Sequence, residues 1–566
     1  MRKTITKFFI ATFMIVISFC LINNKLSAAS TKIMYLGANV GETYETAGVN
    51  YHCTEKGSYV LFGTTDKLTT ANATKVIPTE TEFEKPTLAT DSNTGYSKRY
   101  ICKATLEGLK PSKTYYYKVV IGKEESDVQS FKSLSDDVNK KSLMLLADIH
   151  AYSNNPVIDT QATVSRVIKK EYNNNLGLFV TAGDNVDRGG YEHHWKALFD
   201  NMTSLRNYLW APIPGNHEYY HDNQPGYISP EYFNQFFNNP LNGPESKLNS
   251  SYYFKYGNAL IIMLDIIKRD DTTEEQVEWF KKVVENNPST WIIVVSHPGA
   301  YSCGSYADDA SWVNKNWRKT FEECQVDLAV SGHEHIYLRK DQAYNNEKNE
   351  DLGVTYLVSP AAGMKQYSPQ DKYKYQFDKI LSTYTYAANV LTFSGNKLTV
   401  KLYNQLGEVG ESFVLNARRP TEIVKMTDQE ILDSISYTYN KDLSQVVFSW
   451  DENLWGNIKN VQVTCKQYEK DVWKTVIASS KNNTFEVNGF YDTYDYNFTM
   501  TLTKTDNTTI SKEFELINVV PETPETPENP ETPKEEKKGC KKKSFNLVIS
   551  LASILSVFVL IFKKKH

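Results

Sequence analysis

The chain contains three stretches that differ in how hydrophobic and polar positions alternate. Residues 31–136 alternate apolar and polar positions with turn residues between the runs, which predicts a small β-sandwich. From Lys141 onward, apolar runs are separated by longer amphipathic segments, which predicts an α/β domain. Residues from about 420 to 518 return to the β pattern and predict a second sandwich.

Within the α/β region, several apolar runs predict buried strands, at residues 142–147, 178–181, 259–264, 291–295 and 326–330. The sequence Thr272-Thr273-Glu274-Glu275 is typical of a capping box, and the spacing of Val277, Phe280 and Val284 predicts a helix behind it. Later runs at 355–358, 389–392 and 398–403 predict a second sheet that closes the domain near residue 417.

Composition limits the classes of protein to be considered. A chain of 566 residues is too long for one core, so three or four domains are expected. A net charge of −4 argues against a nucleic-acid-binding surface, and seven cysteines are too few for a disulfide scaffold. Two disulfides are nevertheless considered, Cys53–Cys102 and Cys303–Cys324.

Both ends of the chain are expected to be directed to a membrane. Residues 1–29 combine a basic start, an apolar stretch and the small residues Ser27-Ala28-Ala29, which is typical of a signal peptide. Residues 545–562 are apolar and flanked by lysines, and at about 1.5 Å per residue they are long enough for a transmembrane helix. We therefore expect an exported protein on the outer face of the cell membrane.

The segments beside this helix complete the expected anchor. Residues 519–544 carry Pro-Glu-Thr repeats and lysines and predict an extended stalk, and residues 563–566 form a basic cytoplasmic tail. Contacts with the cell wall through the sandwiches fit this placement. Sortase attachment at Asn529-Pro530-Glu531-Thr532-Pro533 or at Val520-Pro521-Glu522-Thr523-Pro524 is a weaker alternative, since proline stands where glycine or asparagine is usual.

Five short acid, amide and histidine clusters lie between residues 148 and 335, and all except the third follow an apolar run. They are Asp148-Ile149-His150, residues 183–189 (Gly-Asp-Asn-Val-Asp-Arg-Gly), residues 215–218 (Gly-Asn-His-Glu), His297, and residues 332–335 (Gly-His-Glu-His). Functional groups collect at the carboxyl ends of strands in α/β sheets, so these clusters should converge. Nitrogen and oxygen ligands without cysteine suit iron, manganese or zinc and disfavour a structural zinc site.

The five clusters in this order resemble the calcineurin-like metallophosphoesterases, which include purple acid phosphatases and Ser/Thr phosphoprotein phosphatases. The resemblance covers roughly residues 141–340 and implies a four-layer α/β/β/α sandwich. Residues 109–119 resemble the turn and strand of fibronectin type III domains, so residues 31–136 are expected to be such a domain, followed by a catalytic domain at 141–417 and an immunoglobulin-like sandwich at 420–518. This layout looks most like bacterial relatives of purple acid phosphatase.

The resemblance implies two metal ions, each with its own ligands. The first ion would be held by Asp148, His150 and His335, and the second by Asn216, His297 and His333. Asp184 would bridge both ions. Two such ions hold a hydroxide between them and clamp a phosphate opposite it.

Two positions depart from the purple enzymes. His150 is an additional histidine, and Asp187 stands where those enzymes have a metal-binding tyrosine, so neither a purple colour nor an obligatory ferric ion is expected. Residues 184–189 resemble phosphoprotein phosphatases instead, which implies that Asp187 orients His217, that His217 protonates the leaving oxygen, and that Arg188 contacts phosphate. The Asp187 carboxylate is expected to favour the charged form of His217. A surface ion pair is the alternative for Arg188.

The remaining residues of these clusters have less certain roles. Glu218 is expected to brace its loop, and Glu334 to face away from the metals. Tyr219, Tyr220 and His221 would either wall the substrate pocket or pack within the loop. The expected function is phosphate monoester hydrolysis. A phosphodiesterase or nucleotidase with the same centre, a phosphoprotein phosphatase, and an adhesion protein with a silent central domain are the alternatives.

Overall fold

The computed structural model describes residues 32–83, 98–136, 140–220, 230–267, 272–466, 471–477, 483–491 and 494–517. The predicted signal peptide (1–29), stalk (519–544), membrane helix (545–562) and basic tail (563–566) lie outside these residues, as does His221. Within the described ranges, none of the helices has both the length and the apolar character needed to cross a membrane.

The N-terminal region is built from short antiparallel strands. They are β1 (Ile33–Val40), β2 (Thr46–Cys53), β3 (Tyr59–Gly63), β4 (Thr74–Val76), β5 (Thr79–Glu82), β6 (Tyr100–Glu107), β7 (Thr114–Ile121), β8 (Glu124–Glu125) and β9 (Gln129–Lys132). Tyr115 and Tyr117 of β7 are buried beside Phe131, so they are packing residues of this region.

The middle region alternates strands and helices, as the hydrophobic pattern predicts. Its strands are β10 (Lys141–Leu146), β11 (Leu176–Ala182), β12 (Leu209–Ile213), β13 (Tyr252–Tyr256), β14 (Ala259–Leu264), β15 (Trp291–Ser296), β16 (Leu328–Ser331), β17 (Tyr337–Tyr344), β18 (Glu347–Lys348), β19 (Val354–Val358), β20 (Lys379–Leu381), β21 (Ala388–Ser394), β22 (Lys397–Tyr403) and β23 (Val409–Asn416). Its helices are α1 (Asn154–Lys170), α2 (Glu192–Asn201), α3 (Glu231–Phe236), α4 (Thr272–Asn286) and α5 (Ala307–Glu323).

Two large sheets pack face to face in this region. The first has the order β23-β22-β21-β10-β11-β12-β1-β2-β6-β5, and the second has the order β13-β14-β15-β16-β19-β17-β18, with β20 on β17. Their inner faces share one apolar core. Helices α1 and α2 cover the outer face of the first sheet, and α4 and α5 cover the second. This α/β/β/α sandwich confirms the expected fold class.

Helix α4 shows why these segments fold as they do. Phe280, Val283 and Val284 lie on one face of the helix and are buried against the second sheet. Burial of each such side chain stabilises the fold by about 1.5–3 kcal/mol. The Glu275 carboxylate of the predicted capping box accepts a hydrogen bond from the Ser246 hydroxyl of a neighbouring loop.

The prediction that all later strands form one second sheet was wrong. Strand β19 does join the second sheet beside β16. Strands β21 and β22 instead return to the first sheet, where β21 runs antiparallel to β10. A run of apolar residues indicates a strand but carries no information about its neighbour in the sheet, so this assignment needed the structure.

The N-terminal region is continuous with the first sheet. Strand β1 lies parallel to β12, and the Asn39 side-chain amide donates to the carbonyl of Trp210 at 3.1 Å. A buried ion pair joins Arg99, directly before β6, to Glu192 of α2, and the Tyr35 hydroxyl donates to the same glutamate at 2.7 Å. Since these contacts are buried, the two regions share one hydrogen-bonded framework.

The C-terminal region forms two smaller sheets over a separate apolar core. It contains α6 (Asp428–Ser434), β24 (Ser436–Asn440), β25 (Gln445–Ser449), β26 (Ile458–Cys465), β27 (Asp471–Val476), β28 (Thr484–Asn488), β29 (Tyr496–Lys504) and β30 (Thr509–Leu516). The sheet orders are β24-β25-β28 and β27-β26-β29-β30. Two antiparallel sheets of this kind match the expected immunoglobulin-like sandwich.

The cysteines considered for disulfides are free thiols in the structure. Cys303 lies in the loop before α5 and Cys324 directly follows this helix, whose 17 residues span about 25 Å. This pairing is therefore wrong, because a disulfide needs Cα atoms within about 7 Å. Cys53 and Cys102 lie close together on the neighbouring strands β2 and β6, but they form no disulfide in the structure.

Candidate metal centre

The five clusters meet at one edge of the two sheets. Strands β10, β11 and β12 are parallel, as are β14, β15 and β16, so the loops that follow them open to the same side. The third cluster also follows a strand, β12, which the sequence argument missed because Pro212 is unusual in a central strand. The Pro212 carbonyl accepts a hydrogen bond from the Tyr252 hydroxyl at 2.8 Å.

The first group of candidate ligands comprises Asp148, His150, Asp184 and His335, whose ligand atoms all lie within 4.8 Å of one another. The Nε2 atoms of His150 and His335 face each other at 3.1 Å. Asp148 Oδ1 is 3.3 Å from His335 Nε2, and Asp184 Oδ2 is 3.5 Å from His150 Nε2. All four side chains are buried.

The second group comprises Asp184, His297 and His333, which also lie within 4.8 Å of one another. His297 Nε2 is 3.2 Å from Asp184 Oδ2 and 3.0 Å from Asn216 Oδ1. All seven predicted ligands are thereby brought together. Asp184 belongs to both groups, which is the arrangement expected of a shared carboxylate.

The backbone at this edge is unusual. Five candidate ligands have left-handed backbone, with φ of 54° at Asp148, 48° at His150, 51° at Asp184, 73° at His333 and 52° at His335. This conformation is uncommon for residues with side chains and persists where the surroundings enforce it. It allows each loop to turn sharply after its strand, so that the side chains point inward.

Glycines in the same motifs leave room for the carboxylates. A Cβ atom on Gly215 would lie 2.1 Å from Asp184 Oδ1, and one on Gly332 would lie 2.6 Å from Asp148 Oδ2. Both distances are shorter than a van der Waals contact. The glycines are therefore required by close packing against the candidate ligands.

The chemistry of the donor set fits metal ions. His335 Nδ1 is buried and makes no hydrogen bond within the described residues, while its Nε2 faces another imidazole. Burial lowers the pKa of His150 to about 4, which leaves the neutral imidazole that a metal requires. Burial opposes ionisation of Asp184, but the charges of His297 and His217 outweigh it and hold its pKa well below the usual value.

Glu218 braces the loops from behind. Its carboxylate accepts hydrogen bonds from the backbone N–H groups of Asp184 at 3.0 Å, Val186 at 3.0 Å and Gly215 at 2.6 Å. Burial, followed by the charge of Asp184, raises the pKa of Glu218 to about 8. Glu334 points away from both ligand groups, toward the Ser302 hydroxyl and the backbone N–H of Tyr306.

The expected pairing of Asp187 with His217 takes a different form. His217 Nδ1 is 2.5 Å from the backbone carbonyl of Asp187, whereas the carboxylate is 3.8 Å away. That carboxylate lies closer to His150 Nδ1, at 3.4 Å, and to Lys365 Nζ, at 2.7 Å. The expected rise in the pKa of His217 is also wrong, because burial lowers that pKa more than the nearby carboxylates raise it.

Three other residues at this edge have clear positions. Arg188 is exposed at the mouth of the site, and within the described residues its guanidinium forms no ion pair. Tyr219 is buried and donates to Asp265 Oδ2 at 2.6 Å, so it is a packing residue. The Tyr220 hydroxyl accepts from Asn216 Nδ2 at 3.0 Å, and its ring lies against His217.

Sequence reasoning missed several residues that line the site, among them Lys365, Tyr306 and Tyr367. Lys365 Nζ lies 3.1 Å from His150 Nδ1, on a loop whose Gly363 N–H donates to the Asp148 carbonyl at 3.1 Å. The ring of Tyr306 packs on His333 and that of Tyr367 stacks on His335, at centroid distances of 4.1 and 4.3 Å. None of them belongs to a recognised motif, so no sequence signal pointed to them.

Comparisons with known proteins agree with this geometry. Residues 141–337 match the calcineurin-like phosphoesterase family, and residues 37–133 match the purple acid phosphatase N-terminal domain. The chain is 24% identical to Purple acid phosphatase 15 of Arabidopsis thaliana over 49% of this chain and 56% of that protein. It is 30% identical to an uncharacterized protein of Mycobacterium tuberculosis over 26% of this chain and 30% of that protein.

The fold is also found in solved structures. A purple acid phosphatase from yellow lupin seeds superposes with a TM-score of 0.56 at 17% identity, over 68% of this chain and 74% of that one. The chain spans between 30% and 56% of the length of these curated relatives. The chain therefore carries a calcineurin-like phosphoesterase domain behind a purple acid phosphatase N-terminal domain.

Proposed function

We propose that this protein is a dinuclear-metal phosphatase that hydrolyses phosphate monoesters. The two matched families together indicate a metal-dependent phosphoester hydrolase. The observation that carries the proposal is the pair of ligand groups that share Asp184. The two oxygens of a buried carboxylate can face two cations at once. A site for a single metal ion would not need such a shared carboxylate.

The residues would divide between the two ions as the resemblance implies. Asp148, His150 and His335 would hold one ion, Asn216, His297 and His333 the other, and Asp184 both. When bound, two such ions supply a water of lowered pKa and offset the charge of the phosphate. Iron, manganese and zinc all suit these nitrogen and oxygen donors.

His217 has the position of a general acid. Its Nδ1 donates to the Asp187 carbonyl, so Nε2 is the nitrogen that would carry the proton for the leaving oxygen when the imidazole is in its protonated form. Nε2 lies 3.8 Å from Asp184 Oδ2 and therefore faces the shared carboxylate. Arg188, which is exposed, would meet phosphate oxygens in a two-pronged contact.

The first experiment loads the purified chain with manganese, iron or zinc and compares a monoester and a diester chromogenic phosphate. We expect faster hydrolysis of the monoester. A clear preference for the diester would favour the phosphodiesterase or nucleotidase alternative, since the same ligand groups serve both reactions. If the protein binds no metal and releases no phosphate under any loading condition, the adhesion alternative would be favoured.

We further propose that the protein is exported and anchored to the membrane. This proposal rests on the sequence of residues 1–29 and 545–562. Protease added to intact cells should remove the phosphatase activity from the cell surface, and the activity should sediment with membranes. Activity found in the soluble cell interior and protected from the protease would contradict this placement.

A further inference from the structure

A carboxylate outside both ligand groups lies directly behind one candidate ligand. His333 Nε2 is 2.9 Å from Oδ2 of Asp309, which belongs to the first turn of α5. No motif includes Asp309, and it lies 24 residues from His333 in the sequence. Its side chain is 21% exposed, so the contact is largely shielded from solvent.

This contact determines which nitrogen of His333 can bind a metal. A neutral imidazole has one N–H and one lone pair, and its Nε2 side is occupied by the carboxylate. Nε2–H then donates to Asp309, and the lone pair remains on Nδ1. A carboxylate behind a ligating histidine fixes the tautomer and orientation of the ring and raises its basicity.

We infer that Asp309 is a positioning residue that strengthens binding of the second metal ion through His333. The inference rests on the proposed dinuclear function. Asp309 would touch neither the ion nor the substrate. Its effect would be on the orientation, proton position and electron density of one ligand.

The surrounding contacts fix the side chains of His333 and Asp309 relative to each other. The N–H of Asp309 donates to the Tyr306 carbonyl at 3.0 Å, and the Tyr306 ring packs on His333. The N–H of Tyr306 in turn donates to Glu334 Oε1 at 3.2 Å. The imidazole is therefore fixed on its face by the tyrosine and at its edge by the carboxylate.

Charge balance explains why the second group needs this support. The first group contains two carboxylates, Asp148 and Asp184. In the second group the shared Asp184 is the carboxylate, and Asn216 supplies a neutral amide oxygen. A further negative charge behind His333 compensates for the weaker donor set.

The other imidazoles have different partners behind them. His297 Nδ1 faces the backbone carbonyl of Ala182 at 2.8 Å. His150 Nδ1 lies 3.4 Å from Asp187, whose carboxylate is shared with Lys365. The contact of His333 with Asp309 is thus the shorter of these two carboxylate contacts, and the most direct to test by substitution.

The test substitutes Asp309→Asn in the full chain and measures binding of Zn²⁺ by equilibrium dialysis followed by metal analysis. We expect one of the two ions to bind about 10- to 100-fold more weakly, while the other keeps its affinity. Asp309→Glu keeps the carboxylate and should recover part of the affinity. Thermal unfolding of each variant reports separately on the fold.

Asp308→Asn provides a matched control. Asp308 is exposed, is adjacent to Asp309, and lies in the same first turn of α5. An acidic residue there also stabilises the helix through its dipole, and this structural role is common to both aspartates. Asp308→Asn should bind both ions as the wild type does.

The outcomes separate this inference from the proposed function. Wild-type affinity for both ions in Asp309→Asn, or the same loss in Asp308→Asn, would overturn the role of Asp309 and leave the dinuclear centre intact. A wild-type chain that binds fewer than two ions would overturn the proposed function itself, and this inference with it.

Discussion

The metal centre and the C-terminal sandwich bury very different side chains. At the centre, Asp148, Asp184 and His297 are at most 1% exposed, and the backbone is left-handed at five candidate ligands. In the sandwich, the core is a cluster of apolar and aromatic side chains. Among the described residues of the sandwich, left-handed backbone at positions with a side chain occurs at Ser444 and Asn507, which lie in turns.

The difference indicates where stability is given up for function. Burying charged groups costs free energy unless partners or ions compensate, and left-handed backbone adds about 1–3 kcal/mol per residue. The core that the structure describes in the sandwich is apolar, so its packing carries none of the cost of buried charge. Substitutions at the centre should therefore affect activity first, and substitutions in the sandwich should affect stability first.

The largest effect on activity is expected for Asp184→Ala. Loss of the shared carboxylate removes a ligand from both groups, so kcat/KM for a monoester should fall by at least about a thousandfold, or about 4 kcal/mol. Steady-state kinetics after metal loading measures this. Asp308→Ala, at an exposed position, is the control, and equal losses in both variants would contradict the account.

His217→Asn should have the next largest effect, and the size should depend on the leaving group. Loss of a general acid lowers kcat by about 10²–10⁴ for an alkyl phosphate, whose alkoxide needs a proton. A nitrophenyl phosphate should lose much less, because its phenolate leaves without one. An equal loss with both substrates would show that His217 does not donate the proton.

Lys365→Gln is expected to have a moderate effect. The ammonium group partners the Asp187 carboxylate at 2.7 Å, behind His150 and His217. Removing a partner from behind a metal ligand should lower kcat/KM about tenfold. Lys365→Arg should retain more activity than Lys365→Gln. Unchanged kinetics in the glutamine variant would restrict Lys365 to a surface role.

Phe448→Ala tests the packing of the C-terminal sandwich. Phe448 is buried and packs edge-on against Phe498 and Phe514 in the sandwich core. The substitution should destabilise the sandwich by about 3–5 kcal/mol and leave kcat unchanged. Chemical unfolding and kinetics on the same sample check both statements. A parallel loss of kcat would show that the sandwich supports the centre.

A buried histidine outside the centre gives the smallest expected effect, on stability in acid. Burial lowers the pKa of His52 from 6.5 to about 3, so the unfolded chain binds the proton more readily between these values. Stability contributed by neutral His52 is therefore lost as pH falls through this window. The unfolding midpoint of His52→Gln should fall less steeply from pH 6.5 to pH 4 than that of the wild type.

Much of the fold could be predicted because the spacing of hydrophobic residues in the sequence matches the periods of strands and helices. The apolar run at 259–264 forms strand β14 with the same limits. Phe280 and Val284 lie on the buried face of α4, as their spacing predicted. Strand neighbours could not be predicted in this way. The return of β21 to the first sheet depends on long-range pairing, which local periodicity does not encode.

The candidate ligands were predictable because motif residues follow strands that end at one edge. The residues behind them were not, because Asp309 and Lys365 come from a helix turn and a loop with no motif of their own. The sequence predicted that the Asp187 carboxylate pairs with His217, whereas the Asp187 backbone carbonyl does so. The choice between the carbonyl and the carboxylate of Asp187 depends on side-chain geometry, which sequence does not specify.

The most direct test of the central claim is the metal content of the purified full chain. Metal analysis of wild-type protein should find two transition-metal ions per chain, and Asp184→Ala should bind both ions much more weakly. A wild-type content of one ion or none after loading, or two tightly bound ions in Asp184→Ala, would contradict a dinuclear centre built around a shared carboxylate.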